Sequence, residues 1–168
     1  MTSAFNASDF DIIAFGRGVS PENKQRLKQT YKEQNPKIQF VDGLAPITNL
    51  LVDQIKWACV PDHESSIKAK VTFDGANGIR VETRTSCRLT VKHYTLNWLF
   101  QSKERVVADQ QIDGGTYRFS LKPSRGRNFL VIMQDGMVSE IRALQGGVWT
   151  RTADRVGTEI GKSRREEI

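Results

Sequence analysis

The run Asp11-Ile12-Ile13-Ala14-Phe15-Gly16 decides how the first third of the chain folds. Its apolar residues are continuous instead of alternating, which is the pattern of a short strand covered on both faces and so of a parallel sheet. The residues that follow fit that reading. Ser20 can cap a helix, Pro21 suits its first position and Glu22 complements its dipole. Leu27 and Tyr31 share one face of that helix among Lys24, Arg26, Lys28 and Lys32, and Asn35-Pro36 stops it. Lys37-Ile38-Gln39-Phe40-Val41 then reads as a second strand, Asp42-Gly43 as a turn, and Ile47 to Ala58 as a second helix with Ile47, Leu50, Leu51, Ile55 and Ala58 at helical spacing. Two strands joined by a helix are expected to be parallel with a right-handed crossover.

From Ser65 the texture changes to short β-prone runs. Ile67 to Phe73, Ile79 to Thr85, Arg88 to Asn97, Arg105 to Gln110, Thr116 to Leu121, Asn128 to Gln134 and Val138 to Leu144 read as seven strands. Turn chemistry separates them at Asp74-Gly75-Ala76-Asn77-Gly78, Asp113-Gly114-Gly115, Pro123-Ser124-Arg125-Gly126 and Asp135-Gly136. The expected fold class is α+β, with a small parallel βαβα unit over 9–60 and an antiparallel seven-stranded β-sandwich over 65–145. Past Leu144 the pattern decays. Gly157 and Gly161 would each weaken a helix by about 1 kcal/mol relative to Ala, so 146–168 is expected to be a loosely ordered tail.

Composition bounds the function without naming it. The 168 residues, 38% hydrophobic and 26% charged, describe an ordinary globular chain. No run approaches the roughly 18 to 20 apolar residues of a membrane span, and Met1-Thr2-Ser3-Ala4-Phe5-Asn6 lacks the features of a signal peptide. A cytoplasmic protein without membrane contact is the expectation. Cys59 and Cys87 form no metal-binding or redox motif, and two reduced structural thiols are expected. The net charge of +6 comes mainly from residues 62–145, where thirteen Lys and Arg face nine acids. The cations are interspersed with acids, a weak signature for nucleic acid.

The stretch from Asp9 to Gln54 resembles an inner fragment of the receiver domain of bacterial response regulators: third strand, helix, fourth strand and helix. In that family the third strand commonly reads Asp, four apolar residues, then the phosphorylated Asp. Here Gly16 stands at the acceptor position, and no earlier strand supplies the acidic pair that holds the metal. The resemblance implies a pseudo-receiver in a bacterial setting without phosphorylation chemistry. The β region is similar to immunoglobulin-like or fibronectin-like sandwiches, with a rhythm carried by Leu89 to Leu144 and by Gly115-Thr116-Tyr117-Arg118-Phe119. That likeness implies architecture and no particular function.

Candidate sites follow from position. Gly16-Arg17-Gly18 leads from a strand into a helix, where backbone amides can approach a phosphate. It lacks the full glycine-rich fingerprint, and a plain turn is the more common meaning. Asp42 ends the neighbouring strand on the same carboxyl edge, so Gly16, Arg17, Gly18 and Asp42 form the candidate ligand crevice; an ion pair is the ordinary alternative for Arg17 and Asp42. Arg118, Lys122, Arg125 and Arg127 surround a hairpin and form the candidate interaction surface, against the commoner solvated loop. His63 and His93 have no metal-ligand partner nearby, and no cofactor or metal is expected. Trp57, Trp98 and Trp149 could stack on a ligand if exposed, but Asn97-Trp98-Leu99-Phe100 reads as a core or interface strand end.

Two strands and two helices bury too little to stand alone and expose unpaired edges. Either the β region or the N-terminal residues cover the unit, or a second copy completes the sheet; the favoured answer is a homodimer that joins two such units into one four-stranded sheet. The sequence therefore reads as a non-enzymatic interaction or scaffolding module that self-associates through its α/β unit and meets an unidentified protein partner. The alternatives are a small-molecule or nucleotide regulator using the carboxyl edge, and, more weakly, nucleic-acid binding through the basic hairpin.

Overall fold

Ile12–Phe15 (β1) and Gln39–Asp42 (β2) pair in parallel, Ile13 opposite Phe40 and Phe15 opposite Asp42, in the computed structural model of the protein, which describes residues 6–60 and 68–152. Between them Pro21–Gln34 forms α1, with the Ser20 hydroxyl accepting from the Asn23 amide at 3.3 Å as the sequence predicts. A 3-10 turn, Ala7–Asp9, is tied to the far end of α1: the Ala7 amide donates to Gln34 Oε1 at 2.9 Å, and the Asn35 side-chain amide donates to the carbonyls of Ala7 and Phe10. Ala7, Phe15, Ile38, Val41 and Ala45 are buried, but α1 itself buries no residue fully.

By its contacts the described chain divides between Pro46 and Ile47, and the second unit runs from Ile47 to Thr152. The second helix, Thr48–Ala58 (α2), thus groups with the β region, and the first unit is βαβ where βαβα was expected. The reason is its buried face, Leu50, Asp53, Gln54 and Trp57, which mixes apolar area with an acid that finds partners on a strand of the second unit.

The fold is α+β, as expected, and the β region contains two antiparallel sheets. Ala69–Phe73 (β3), Gly78–Thr83 (β4) and Gly115–Ser120 (β7) form one, in the order β3-β4-β7. Cys87–Leu96 (β5), Ser102–Ile112 (β6), Arg127–Gln134 (β8), Met137–Gln145 (β9) and Val148–Arg151 (β10) form the other, in the order β10-β9-β8-β5-β6. Ile79 and Val81 from the first sheet and Leu89, Val91, Leu130, Ile132 and Trp149 from the second share one apolar core. The opposite side chains of β5, β8 and β9, among them Tyr94, Phe129, Val131 and Ile141, are also buried.

The strand count corrects the expectation of seven strands and a loose segment from 146 onward. β10 is an eighth strand, paired with β9 from Val148 opposite Gln145 to Arg151 opposite Arg142. Gly146 and Gly147, at φ 57° and 82°, form a two-residue hairpin connection whose left-handed conformations glycine adopts without penalty. Ile67 and the rest of the expected tail, 153–168, lie outside the described residues.

Candidate functional site

Parallel pairing brings the loop after β1 and the end of β2 to the same carboxyl edge, as the sequence implies for Gly16, Arg17, Gly18 and Asp42. The three loop residues are exposed. Asp42 is engaged by the adjacent helix: Lys28 Nζ donates to Oδ2 at 2.7 Å, and Lys24 Nζ lies 3.3 Å from Oδ1. Burial alone would raise the Asp42 pKa, but the hydrogen bond and charge of Lys28, with those of Lys24, outweigh it and hold the carboxyl below its ordinary range. Lys28 also stands 5.8 Å from the ring centres of both Phe15 and Phe40. This edge has the geometry of an ion pair that fastens α1 to the strands.

Of the four arginines and lysines expected to make one surface, Lys122, Arg125 and Arg127 lie in or beside the connection from β7 to β8, and Arg118 stands apart. Arg118 is exposed on β7 between Tyr117 and Phe119, which pack on the shared core, so it belongs to the outer face of the three-stranded sheet. Arg125 and Arg127 lie at the foot of the β5–β6 connection. Arg127 pairs with Leu96, and the intervening Gly126 packs so closely that a Cβ there would stand 2.4 Å from the Leu96 carbonyl oxygen. Asn128 fixes this loop by accepting from the Ser124 amide at 3.0 Å and donating to the carbonyls of Ser124 and Gly126 at 2.9 and 3.1 Å. Lys122 is exposed in the same connection between β7 and β8.

The β5–β6 connection is the feature that sequence reading misplaced. Trp98, Leu99 and Phe100 are not a strand end in the core: they form the tip of the hairpin and are 83%, 53% and 75% exposed. Polar residues at both ends hold the tip. The Asn97 amide donates to the Gln101 carbonyl at 3.1 Å, the Phe100 amide to the Asn97 carbonyl at 3.1 Å, and the Gln101 amide to Asn97 Oδ1 at 2.9 Å. The two side chains also meet, Asn97 Nδ2 donating to Gln101 Oε1 at 3.0 Å. Phe100 takes a left-handed backbone, φ 58°, a conformation rare for a bulky residue. The available signal was the flanking pair: Asn97 and Gln101 bracket three apolar residues at the spacing of a turn.

Two polar clusters are internal. Asp53 on α2, 1% exposed, accepts from the Tyr94 hydroxyl at 2.8 Å and from Lys92 Nζ at 3.2 Å. Burial and the Asp53 carboxylate push the Tyr94 phenol well above its usual range, so it keeps its proton and donates. His93 faces the other way, its Nε2 3.0 Å from Asn128 Oδ1 and its ring edge-on to Trp149 at 6.0 Å. Burial lowers the His93 pKa despite the Asn128 hydrogen bond. His63 lies outside the described residues.

An open groove of about 860 Å³ runs past Lys70, Glu82, Arg84, Glu140, Arg142 and Arg151. Glu140 draws in Arg142 and Arg151, so much of its charge is satisfied internally. Among the described residues no group of three or more His, Cys, Asp and Glu could hold a metal ion, and no helix is long and apolar enough to cross a membrane. No protein family, curated protein or solved structure matches the chain.

Proposed function

We propose that this protein is a non-enzymatic interaction module that self-associates through the α/β unit, β1 of one copy pairing antiparallel with β1 of another to make a four-stranded sheet. The observation that carries the reading is the two-stranded sheet itself. Among the described residues neither β1 nor β2 has a second strand partner, and α1 buries none of its residues fully. A sheet of two short strands with one such helix is short of the buried area that independent stability needs.

The register says which groups would pair. Gln39 donates to the Asp11 carbonyl and Gly43 to the Phe15 carbonyl, so odd-numbered positions of β1 spend their backbone groups on β2. Ile12 and Ala14 therefore direct their N–H and C=O to the outer edge, along a strand of apolar side chains. An unpaired apolar edge is a template for another strand. The rival ligand-crevice reading is less well supported, because the acid at that edge, Asp42, is already held by Lys24 and Lys28.

Light scattering over a wide concentration range tests the proposal. The wild-type chain is expected to form a dimer that Ala14→Pro, which removes an outward N–H while sparing the bonds to β2, weakens without unfolding the chain. Ile13→Lys, which places a charge on the sheet face, is expected to act in the same direction. A clean monomer at every concentration would overturn the reading and bring a nucleotide at the Arg17 edge to first place, to be sought as thermal stabilisation lost in Arg17→Ala.

A further inference from the structure

We infer that the Trp98-Leu99-Phe100 tip is a membrane-docking finger whose partner is the surface of a bilayer rich in anionic lipid. Three large apolar side chains stand in water at the end of a hairpin whose backbone is tied at Asn97, Phe100 and Gln101. The tip does not fold back on itself, and its left-handed Phe100 is held by the Asn97 and Gln101 bonds. A costly conformation retained at an exposed apolar turn points to a use for that surface.

The charges around the tip choose the partner. Lys103 and Arg105 follow it on β6, Arg127 opens β8 opposite Leu96, and Arg125 precedes Gly126, which packs against Leu96 and Asn97. Glu104 is the one acid among residues 97–105 and 122–128, and the Asn49 side-chain amide binds it at 2.8 Å. An apolar point flanked by cations fits a bilayer interface: Trp and Phe settle at headgroup depth, and the cations remain in water against anionic headgroups. A second copy docking tip to tip would bring two groups of cations together, which opposes association. A protein partner would instead need a pocket matched to a projecting tip.

Flotation with vesicles tests the inference, and the tryptophans supply its second readout. Trp57 and Trp149 are buried and Trp98 is exposed, so a blue shift of emission on mixing reports Trp98 entering lipid. The full chain is expected to float with vesicles of phosphatidylcholine and phosphatidylserine and to shift its emission, and to do neither with phosphatidylcholine alone at moderate protein concentration. Trp98→Ser combined with Phe100→Ser should weaken binding about tenfold or more with unfolding temperature unchanged. Arg125→Ala and Lys103→Ala should each cost about fivefold. Absence of flotation, or flotation undiminished in the tip variant, overturns the inference. A tip variant that changes the molar mass in solution, with no lipid binding in either protein, assigns the surface to a protein and also overturns it. The result is separable from the proposed self-association, which Ala14→Pro probes at a different element.

Discussion

Asp53→Ala is the substitution with the most to say about how α2 is held. The carboxylate is 1% exposed and is the acceptor for the Tyr94 hydroxyl and for Lys92. Tyr94 is 0% exposed, so removing Asp53 strands a buried hydroxyl at a cost of about 1–3 kcal/mol. The Lys92 side chain retains 21% of its exposure, which lets water take over part of the lost pairing, and that portion is worth about 1 kcal/mol. Together they predict a loss of about 2–4 kcal/mol, a large share of the stability of an ordinary domain. Urea unfolding followed by the fluorescence of the two buried tryptophans should show the midpoint falling by about 1–2 M. Tyr94→Phe alone should cost less, and combined with Asp53→Ala should add little. A double-mutant cycle with no coupling, or an Asp53→Ala midpoint equal to wild type, would refute the claim that this carboxylate fastens the helix to β5.

Further outcomes follow from single positions. Gly126→Ala places a Cβ 2.4 Å from the Leu96 carbonyl oxygen at φ +128°, and should destabilise by about 2–4 kcal/mol; an unchanged thermal midpoint would show that the loop does not press on the hairpin as described. His93, whose native pKa is lowered by burial, binds its proton more readily in the unfolded chain, where its pKa is 6.5. Its contribution is therefore complete above pH 6.5 and is lost as the pH falls through the native value, with a slope of up to about 1.4 kcal/mol per pH unit. Stability curves of wild type and His93→Gln should diverge in that window, and parallel curves would sink the assignment.

Local chemistry made most elements legible. Ser20-Pro21 set the start of α1, the Gly and Asx separators gave the hairpins, and seven of the eight strands of the β region stand close to where alternation put them. The misses share a cause: sequence shows which residues are apolar, but not what covers them. Gly146-Gly147 was a hairpin signal, masked by the weak apolar content of the four residues after it; only pairing with β9 makes Val148–Arg151 a strand. The helical spacing of α2 was plain, but its side of the boundary depended on Asp53, whose partners Lys92 and Tyr94 are some forty positions away. At the candidate surfaces the same blindness acted in reverse. Trp98-Leu99-Phe100 reads in sequence as a core or interface strand end, and its exposure excludes the core; Arg118 groups with Arg125 and Arg127 by sequence proximity although its neighbours Tyr117 and Phe119 pack on the core.

The distribution of unspent interaction energy connects the two proposals. Five acids are used as fasteners: Asp42 by Lys24 and Lys28, Asp53 by Tyr94 and Lys92, Asp109 by Arg88 and Thr90, Asp135 by Lys68 and the Arg88 amide, and Glu140 by Arg142 and Arg151. Apolar area, by contrast, is left in water at the hairpin tip, where burying each of the three side chains would return up to about 1.5–3 kcal/mol. Among the described residues no strand takes up the outer edge of β1. Both reserves are surfaces and both are realised only by contact with something else, which favours a protein that works by docking. They also differ in their dependence on conditions. Docking of the cation-flanked tip on anionic lipid should weaken as salt screens charges beyond about 8–10 Å, whereas strand pairing through Ile12 and Ala14 involves no charged group and should persist. Raising salt should therefore release the protein from vesicles while leaving its molar mass in solution unchanged, and a coincident loss of both would mean that one surface serves both contacts.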